Sequence, residues 1–408
     1  MRDTQHPADT QPSPALRATS PRGRGDSKLD LVAAASALAP RIEAAADQIE
    51  HDRAIPADLL DAMLDAGLFR LLLPRSLGGL ELDLPTYVKV VEEVARADAS
   101  VAWCVGQANG LFNYASYAEL TTARSLFAGG RTILANGPGE GNRPGRAVAD
   151  AAHGGYRVTG KWMFASGFPH ATWLLAVCNI SSENGEGAQR LMLVPKSRVT
   201  VHDVWHVSGL RGTGSQSFAL EDELVPFERA IRVAPETRRE TGPLYLFSSN
   251  GLFGPAFGSV ALGIAHASLA CIVDFAAGKV PRGMDRSIRE SPTVQLAVAQ
   301  AHARLGAARG YLHQTLGSVW EAVVSSGELT VAQRVAVRLA ATHATHESAA
   351  VVDAAYTLAG SNAIFENRPF ERRFRDVHAV TQQVQARRAH YEHVGAYLLG
   401  LEPSLGNI

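Results

Sequence analysis

Cysteine is nearly absent from this chain: 408 residues hold three, Cys104, Cys178 and Cys271. They lie far apart in apolar surroundings without C-x-x-C spacing, which argues against a thiolate metal site or a disulfide framework and for small buried hydrophobes in a reducing compartment. Net charge is nearly absent too. Lys and Arg number 39 against 40 Asp and Glu, leaving −1, so no basic footprint is available to hold a nucleic acid or an anionic membrane. No run is expected to approach the roughly 20 apolar residues of a membrane span, and the first residues lack the apolar stretch of a signal peptide. A soluble cytoplasmic protein is the expectation.

What is present is an ordinary globular composition, 46% apolar and 19% charged, in a chain long enough for two or three domains. Residues 1–28, rich in Pro, Arg, Ser and Asp, read as a disordered tail. Helical spacing of Leu29, Val32, Leu38, Ile42 and Ile49 predicts one helix to Arg53. A second opens at Pro56 with Leu59, Met63 and Leu64 on one face. The third starts near Pro85 and carries Val88, Val91 and Val94, with Glu92 and Glu93 on the opposite side. The stretch SVAWCVGQAN, Ser100 to Asn109, is nearly all apolar and reads as buried. Between Thr132 and Arg232, short β-branched and aromatic runs broken by Gly, Pro and Asn indicate a small β-barrel or sandwich. Long helical patterns then return over Phe257–Ala277, Ser291–Ser325, Thr330–Ala359 and Arg372–Leu399. The predicted fold is α+β: an N-terminal helical domain (29–130), a middle β-domain (131–235) and a C-terminal helical bundle (236–408).

The segment from Gly360 to Gln385 is densest in chemistry. Glu371, Arg372, Arg373, Arg375 and Asp376 fall within two helical turns, a density suited to fixing charges or a phosphate, or to a solvated face.

Four runs occur in order: LPRSLGGLELDLPTYVKVVEEVARADAS at Leu73–Ser100, GGYRVTGKWMFASG at Gly154–Gly167, GLRGTGSQSF at Gly209–Phe218 and GSNAIFENRPFERRFRDVHAV at Gly360–Val380. Through them the chain resembles the acyl-CoA dehydrogenase superfamily from about Leu29 to Gly400. The resemblance implies the same three-part fold with a C-terminal four-helix bundle, a flavin between β-domain and bundle, and a homotetramer. In the dehydrogenases of that family a glutamate commonly stands nine residues after the arginine of the R-D pair, and counting from Arg375 gives Val384. Its neighbours Gln383 and Gln385 are amides, which do not titrate, so a thioester α-proton has no base there.

The wording is closer to a branch of flavin-dependent monooxygenases. That likeness implies reduced flavin (FMN or FAD), a separate NAD(P)H-dependent flavin reductase, O2 as co-substrate, a C4a-hydroperoxide, and a small aromatic or heteroaromatic substrate. Ser166, ending FASG, is implied as the residue that holds the hydroperoxide in a dry pocket. Gln383 stands where such oxygenases often carry histidine, and His378 lies nearby. The resemblance assigns Asn136, Phe164, Ala165 and Ser166 to the flavin, with Thr381 and Gln382 from the last helix and Arg282 toward its phosphate. Trp103, Gln107, Asn109, Phe112 and Tyr114 are the implied substrate pocket. His390 and His393 read as structural or exposed, and no metal is implied. Two alternatives stay open: a dehydrogenase or oxidase with a displaced base, and a non-catalytic scaffold.

Overall fold

The computed structural model describes residues 26–127, 129–182 and 185–402. Most of the tail expected over residues 1–28 lies outside them. Six helices come first: α1 (Asp26–Ala44), α2 (Ala46–Asp52), α3 (Ala57–Asp65), α4 (Leu84–Ala97), α5 (Ala99–Leu111) and α6 (Leu120–Phe127). The single helix expected to Arg53 breaks at Ala45, and Arg53 ends α2 in the left-handed region at φ 54°. A side chain there costs roughly 1–2 kcal/mol. Arg53 is held nonetheless by Asp203 at 2.6 Å and the Trp205 carbonyl at 3.3 Å, which fasten α2 to the β-domain. Asp83 and Asp98 cap α4 and α5 by accepting from the Thr86 and Val101 amides.

Val88, Val91 and Val94 on α4 are fully buried, as the spacing predicts. Glu92 departs from the prediction. It is 4% exposed and paired with Arg309 and His313, each at 2.5 Å, because a later helix covers the side of α4 that the pattern assigned to water. Burying a carboxylate is tolerated only with such partners.

Eight strands follow: β1 (Leu134–Asn136), β2 (Gly145–Asp150), β3 (Gly155–Ala165), β4 (Trp173–Ser182), β5 (Gly185–Pro195), β6 (Thr200–His202), β7 (Gln216–Pro226) and β8 (Ala230–Ile231). They form one sheet in the order β6-β7-β3-β2-β4-β5-β8, with β1 pairing parallel to β4. Leu175, Leu191 and Leu193 on one face join the core of the helices, whereas the other face builds a core of its own. Trp162 stacks on Phe218 at 5.1 Å inside it, beside Cys178 and Met192.

The helices α7 (Ser249–Gly278), α8 (Pro292–Ser326), α9 (Val331–Ala359), α10 (Pro369–Thr381) and α11 (Ala389–Leu398) complete the fold. By length and composition α7 could cross a membrane, contrary to the expectation that no run comes close. It is the central helix of the bundle instead, and 72% of its most apolar window is buried there. One continuous apolar core joins α1–α6 to α7–α10.

The expected last helix, Arg372–Leu399, is broken between Thr381 and Ala389. The backbone groups freed there find side chains from elsewhere. His346 donates from Nε2 to the Ala386 carbonyl at 2.9 Å, and His390 to that of Val384 at 2.8 Å. Gln383 accepts from the Gln385 amide through Oε1 at 2.5 Å.

Candidate active site

One face of α5 organises the site. Trp103 and Gln107 stand one helical turn apart, so both side chains leave the helix in the same direction. Trp103 Nε1 donates to Ser166 Oγ at 3.1 Å, and Gln107 Nε2 to Asn136 Oδ1 at 2.8 Å. The helix thereby ties together the end of β3 and the end of β1. Behind it, Trp103 lies flat on Phe257 of α7, with ring centres 3.8 Å apart, and Phe253 continues the stack at 5.7 Å.

The end of β3 is irregular. Its register with β7 shifts between Trp162 and Ala165, and Phe164 takes φ 58°. This strained residue turns its ring outward, 54% exposed and edge-on to Trp205 at 6.0 Å. Ala165 then points into the sheet core, fully buried, so of the implied flavin contacts it offers only backbone.

Ser166 belongs to a row of hydroxyls. Ser166 Oγ is 2.8 Å from Ser215 Oγ, which is 2.7 Å from Thr213 Oγ1, and Thr213 donates to the Leu210 carbonyl at 2.8 Å. Each hydroxyl has one proton, and because the Leu210 carbonyl takes that of Thr213, Ser215 donates to Thr213 and Ser166 to Ser215. Ser166 Oγ, which also accepts from Trp103, thus faces the site as an acceptor whose proton is drawn back into the row. The loop carrying this row is clamped by α10: Asp376 accepts from the Leu210 amide at 2.7 Å, and a Cβ on Gly209 would stand 2.2 Å from the Arg375 carbonyl oxygen.

The Glu371–Asp376 cluster serves that clamp rather than a phosphate. Arg375 pairs with Glu371 and with Glu50 of α2, both at 2.7 Å, and donates to the Ser208 carbonyl. Arg211 reaches the same Glu50 at 3.0 Å, and Arg372 reaches Asp47 at 2.8 Å. Burial drives the carboxyl of Asp376 up to about 7, nearby Asp98 adding to it.

Several expected site residues lie elsewhere. Asn109 is fully buried and spends its amide on the backbone of Leu68, Leu72 and Val105. Phe112, 1% exposed, packs edge-on against Phe127 in the core, so neither lines a pocket. Tyr114 is half-buried, and burial raises its hydroxyl, which bonds Ser249 at the start of α7. His378 is bonded to Asp353 at 2.8 Å and set against Phe374 at 4.5 Å, which commits its ring away from Ser166. Gln383 is committed to its turn. Thr381 donates to the His378 carbonyl, and exposed Gln382 donates to Thr381. Arg282 is exposed between α7 and α8 with no bonded partner among the described residues.

Sequence reasoning missed Thr213 and Ser215, legible only as hydroxyls inside GTGS. It also missed Arg338, a lone charge amid the apolar VAVRLAA of α9. Among the described residues no group of three His, Cys, Asp or Glu side chains could hold a metal.

Residues 30–122 match the family profile described as acyl-CoA dehydrogenase, N-terminal domain, and residues 256–388 the one described as acyl-CoA dehydrogenase, C-terminal domain. Together they cover more than half of the chain. The protein belongs to the acyl-CoA dehydrogenase superfamily. Among curated relatives, an indole-3-acetate monooxygenase of Acinetobacter baumannii is 28% identical over 93% of this chain and 96% of its own. The oxygenase component of an FADH2-dependent resorcinol hydroxylase from Rhizobium is 29% identical over 91% and 95%. In fold, the superfamily member matches XiaF from Streptomyces, solved with FADH2 and glycerol, at TM-score 0.85, with 24% identity over 93% of this chain and 97% of that one.

The site fits a flavin. An exposed aromatic pair, Phe164 and Trp205, offers a bare ring surface. Beside it, half-buried Asn136 keeps Nδ2 uncommitted among the described residues, and Ser166 presents a hydroxyl held in place from behind.

Proposed function

We propose that this protein is the oxygenase component of a two-component flavin-dependent monooxygenase that adds one oxygen atom to a small aromatic substrate. The observation that carries the reading is at the 383–385 turn. Val384, 47% exposed, occupies the place of the dehydrogenase base, and both flanking residues are neutral amides already bonded. An α-proton beside a thioester therefore meets no acceptor there. The names of the curated relatives, monooxygenases and hydroxylases of aromatic compounds, support the same reading.

Reduced flavin, when bound, supplies the two electrons that activate O2, one oxygen atom going to substrate and the other to water. Ser166, Asn136 and the backbone at Phe164 and Ala165 would hold and orient it. Trp103, Phe253 and Phe257 keep the substrate side apolar and dry, which protects the activated oxygen from water. A separate NAD(P)H-dependent reductase is the partner that returns the flavin to its reduced form. A homotetramer is supported by the exposed apolar side chains of Met284, Ile364 and Phe365 and by exposed Arg282, which has no bonded partner among the described residues. The near-neutral charge and few cysteines support a cytoplasmic location.

The decisive experiment supplies the protein with a flavin reductase, NADH, flavin, labelled O2 and a panel of aromatic acids and phenols. A product carrying one labelled oxygen is expected. Hydrogen peroxide as the sole fate of O2, or bleaching of bound flavin by an acyl thioester, would overturn the reading.

A further inference from the structure

Two carboxyls lie buried behind the hydroxyl row, Asp376 of α10 at 5% exposure and Asp98 at 7%. An acid so placed is costly unless bonds meet its charge. Asp98 spends its side chain locally, capping α5 at the Val101 amide, 2.9 Å away. Asp376 instead reaches out of its helix to the Leu210 amide at 2.7 Å.

Leu210 is the pivot of the hydroxyl loop. Its φ of 54° lies in the left-handed region, which a leucine keeps only when its surroundings hold it there. In that pose its N–H meets Asp376, while its carbonyl accepts from Thr213 Oγ1 at 2.8 Å and from Trp205 Nε1 at 3.2 Å. The rest of the loop has little freedom. A Cβ on Gly212 would stand 2.4 Å from Ile49 Cγ2 and 2.9 Å from Ser100 Cβ, and the Thr213 carbonyl accepts from the Gly167 amide, next to Ser166, at 2.8 Å. The pose of the Leu210 peptide therefore decides whether a carbonyl stands at the end of the row. With it there, the protons of Thr213, Ser215 and Ser166 all point back toward Leu210. Were that carbonyl to turn away, Thr213 would give its proton to Ser215, and Ser166 would receive one instead of giving one.

We propose that Asp376 is a positioning residue for Ser166: by fixing the Leu210 peptide it sets the direction of the hydroxyl row and keeps Ser166 an acceptor toward the site. The inference deepens the monooxygenase reading and rests on it. An ionised Asp376 pulls harder on the Leu210 N–H than a protonated one, and that pull strengthens the Leu210 carbonyl as an acceptor for Thr213. Burial pushes the carboxyl up to about 7, with Asp98 of α5 and Glu50 of α2 adding to the shift and the Leu210 amide and Arg375 opposing it. The hold on Leu210 is accordingly firmer above neutral pH than below it.

Asp376→Asn, which keeps an acceptor at Oδ1 and loses the charge, tests this in the full-length protein. With a flavin reductase, NADH, flavin and labelled O2, the parent should give severalfold more labelled product per NADH at pH 8 than at pH 6. Asp376→Asn should give a low ratio that does not change with pH. A second measurement needs no turnover: in protein labelled with 15N-leucine, the Leu210 amide resonance should move over the same pH range in the parent and stand still in the variant. A Leu210 resonance that does not titrate in the parent overturns the inference, whether or not the variant folds. So does an unchanged ratio and pH profile in Asp376→Asn, or a loss of stability with the ratio intact, the mark of a merely structural role. Any of these failures alongside labelled product from the parent sinks this inference alone. A titrating Leu210 resonance with no labelled product at any pH sinks the monooxygenase reading and leaves the hold of Asp376 on Leu210 standing.

Discussion

Ser166 has one proton to give, and the row behind it draws that proton onto Ser215, because Ser215 gives its own to Thr213 and Thr213 gives its own to the Leu210 carbonyl. Replacing Ser215 by Ala breaks the row and removes the acceptor that orients the Ser166 proton. The expected cost is about 1–2 kcal/mol of stability, read by urea denaturation, with a severalfold fall in labelled product per NADH consumed. A row that merely fills space would lose stability without changing that ratio. The same scale shows what the sequence could and could not say. FASG marked Ser166, but a nearly all-apolar stretch hides which face looks where. Trp103 and Gln107 share one face of α5, whereas Asn109 turns to the backbone of Leu68 and Leu72 and Phe112 to Phe127. Spacing by four from Trp103 selects Gln107 and rejects Asn109, a signal that was there to be used.

Among elements, the long helices and the strand region were legible because their periodicity follows from burial. The break between α10 and α11 was not, because its carbonyls are satisfied by His346 and His390, residues that no local pattern links to it. That construction carries a pH dependence. Burial, opposed by the Val384 carbonyl and aided by nearby cations, lowers the pKa of His390. Its Nδ1 is buried with no partner, so the folded form keeps the ring neutral. A histidine with a lowered folded pKa binds its proton first in the unfolded chain. Stability present above the unfolded value near 6.5 is then lost as pH falls below it. Urea midpoints should fall between pH 7.5 and 5.5, and the fall should be shallower in His390→Gln. An identical slope in the variant would refute this assignment.

Across the whole molecule, the Glu50–Arg375–Arg211 cluster joins α2, the loop before β7 and α10 at one point. The sequence displayed these charges but not their destination, since Glu50 and Arg375 are brought together only by the fold. Both side chains of the central pair are mostly buried, 17% and 18% exposed. Arg375→Met should therefore cost about 3 kcal/mol by removing the partner of Glu371 and the nearest of the three arginines around Glu50. It should also loosen the hydroxyl loop, seen as faster amide exchange at Leu210–Ser215. Global destabilisation without faster exchange at those amides would count against the clamp.

The shared core of the two helical segments sets an order of events during synthesis. The face of α4 that carries Ala95 and the Glu92 carbonyl is made early, while α7, whose Gly263 sits against them, is made only after the entire sheet. While the sheet is being synthesised, that face has no mate in the nascent chain. The β-domain, with its own core, can close first, and the amino-terminal helices must wait for the carboxy-terminal ones. A growing polypeptide of this design needs shielding of its first hundred residues until its last third has left the ribosome.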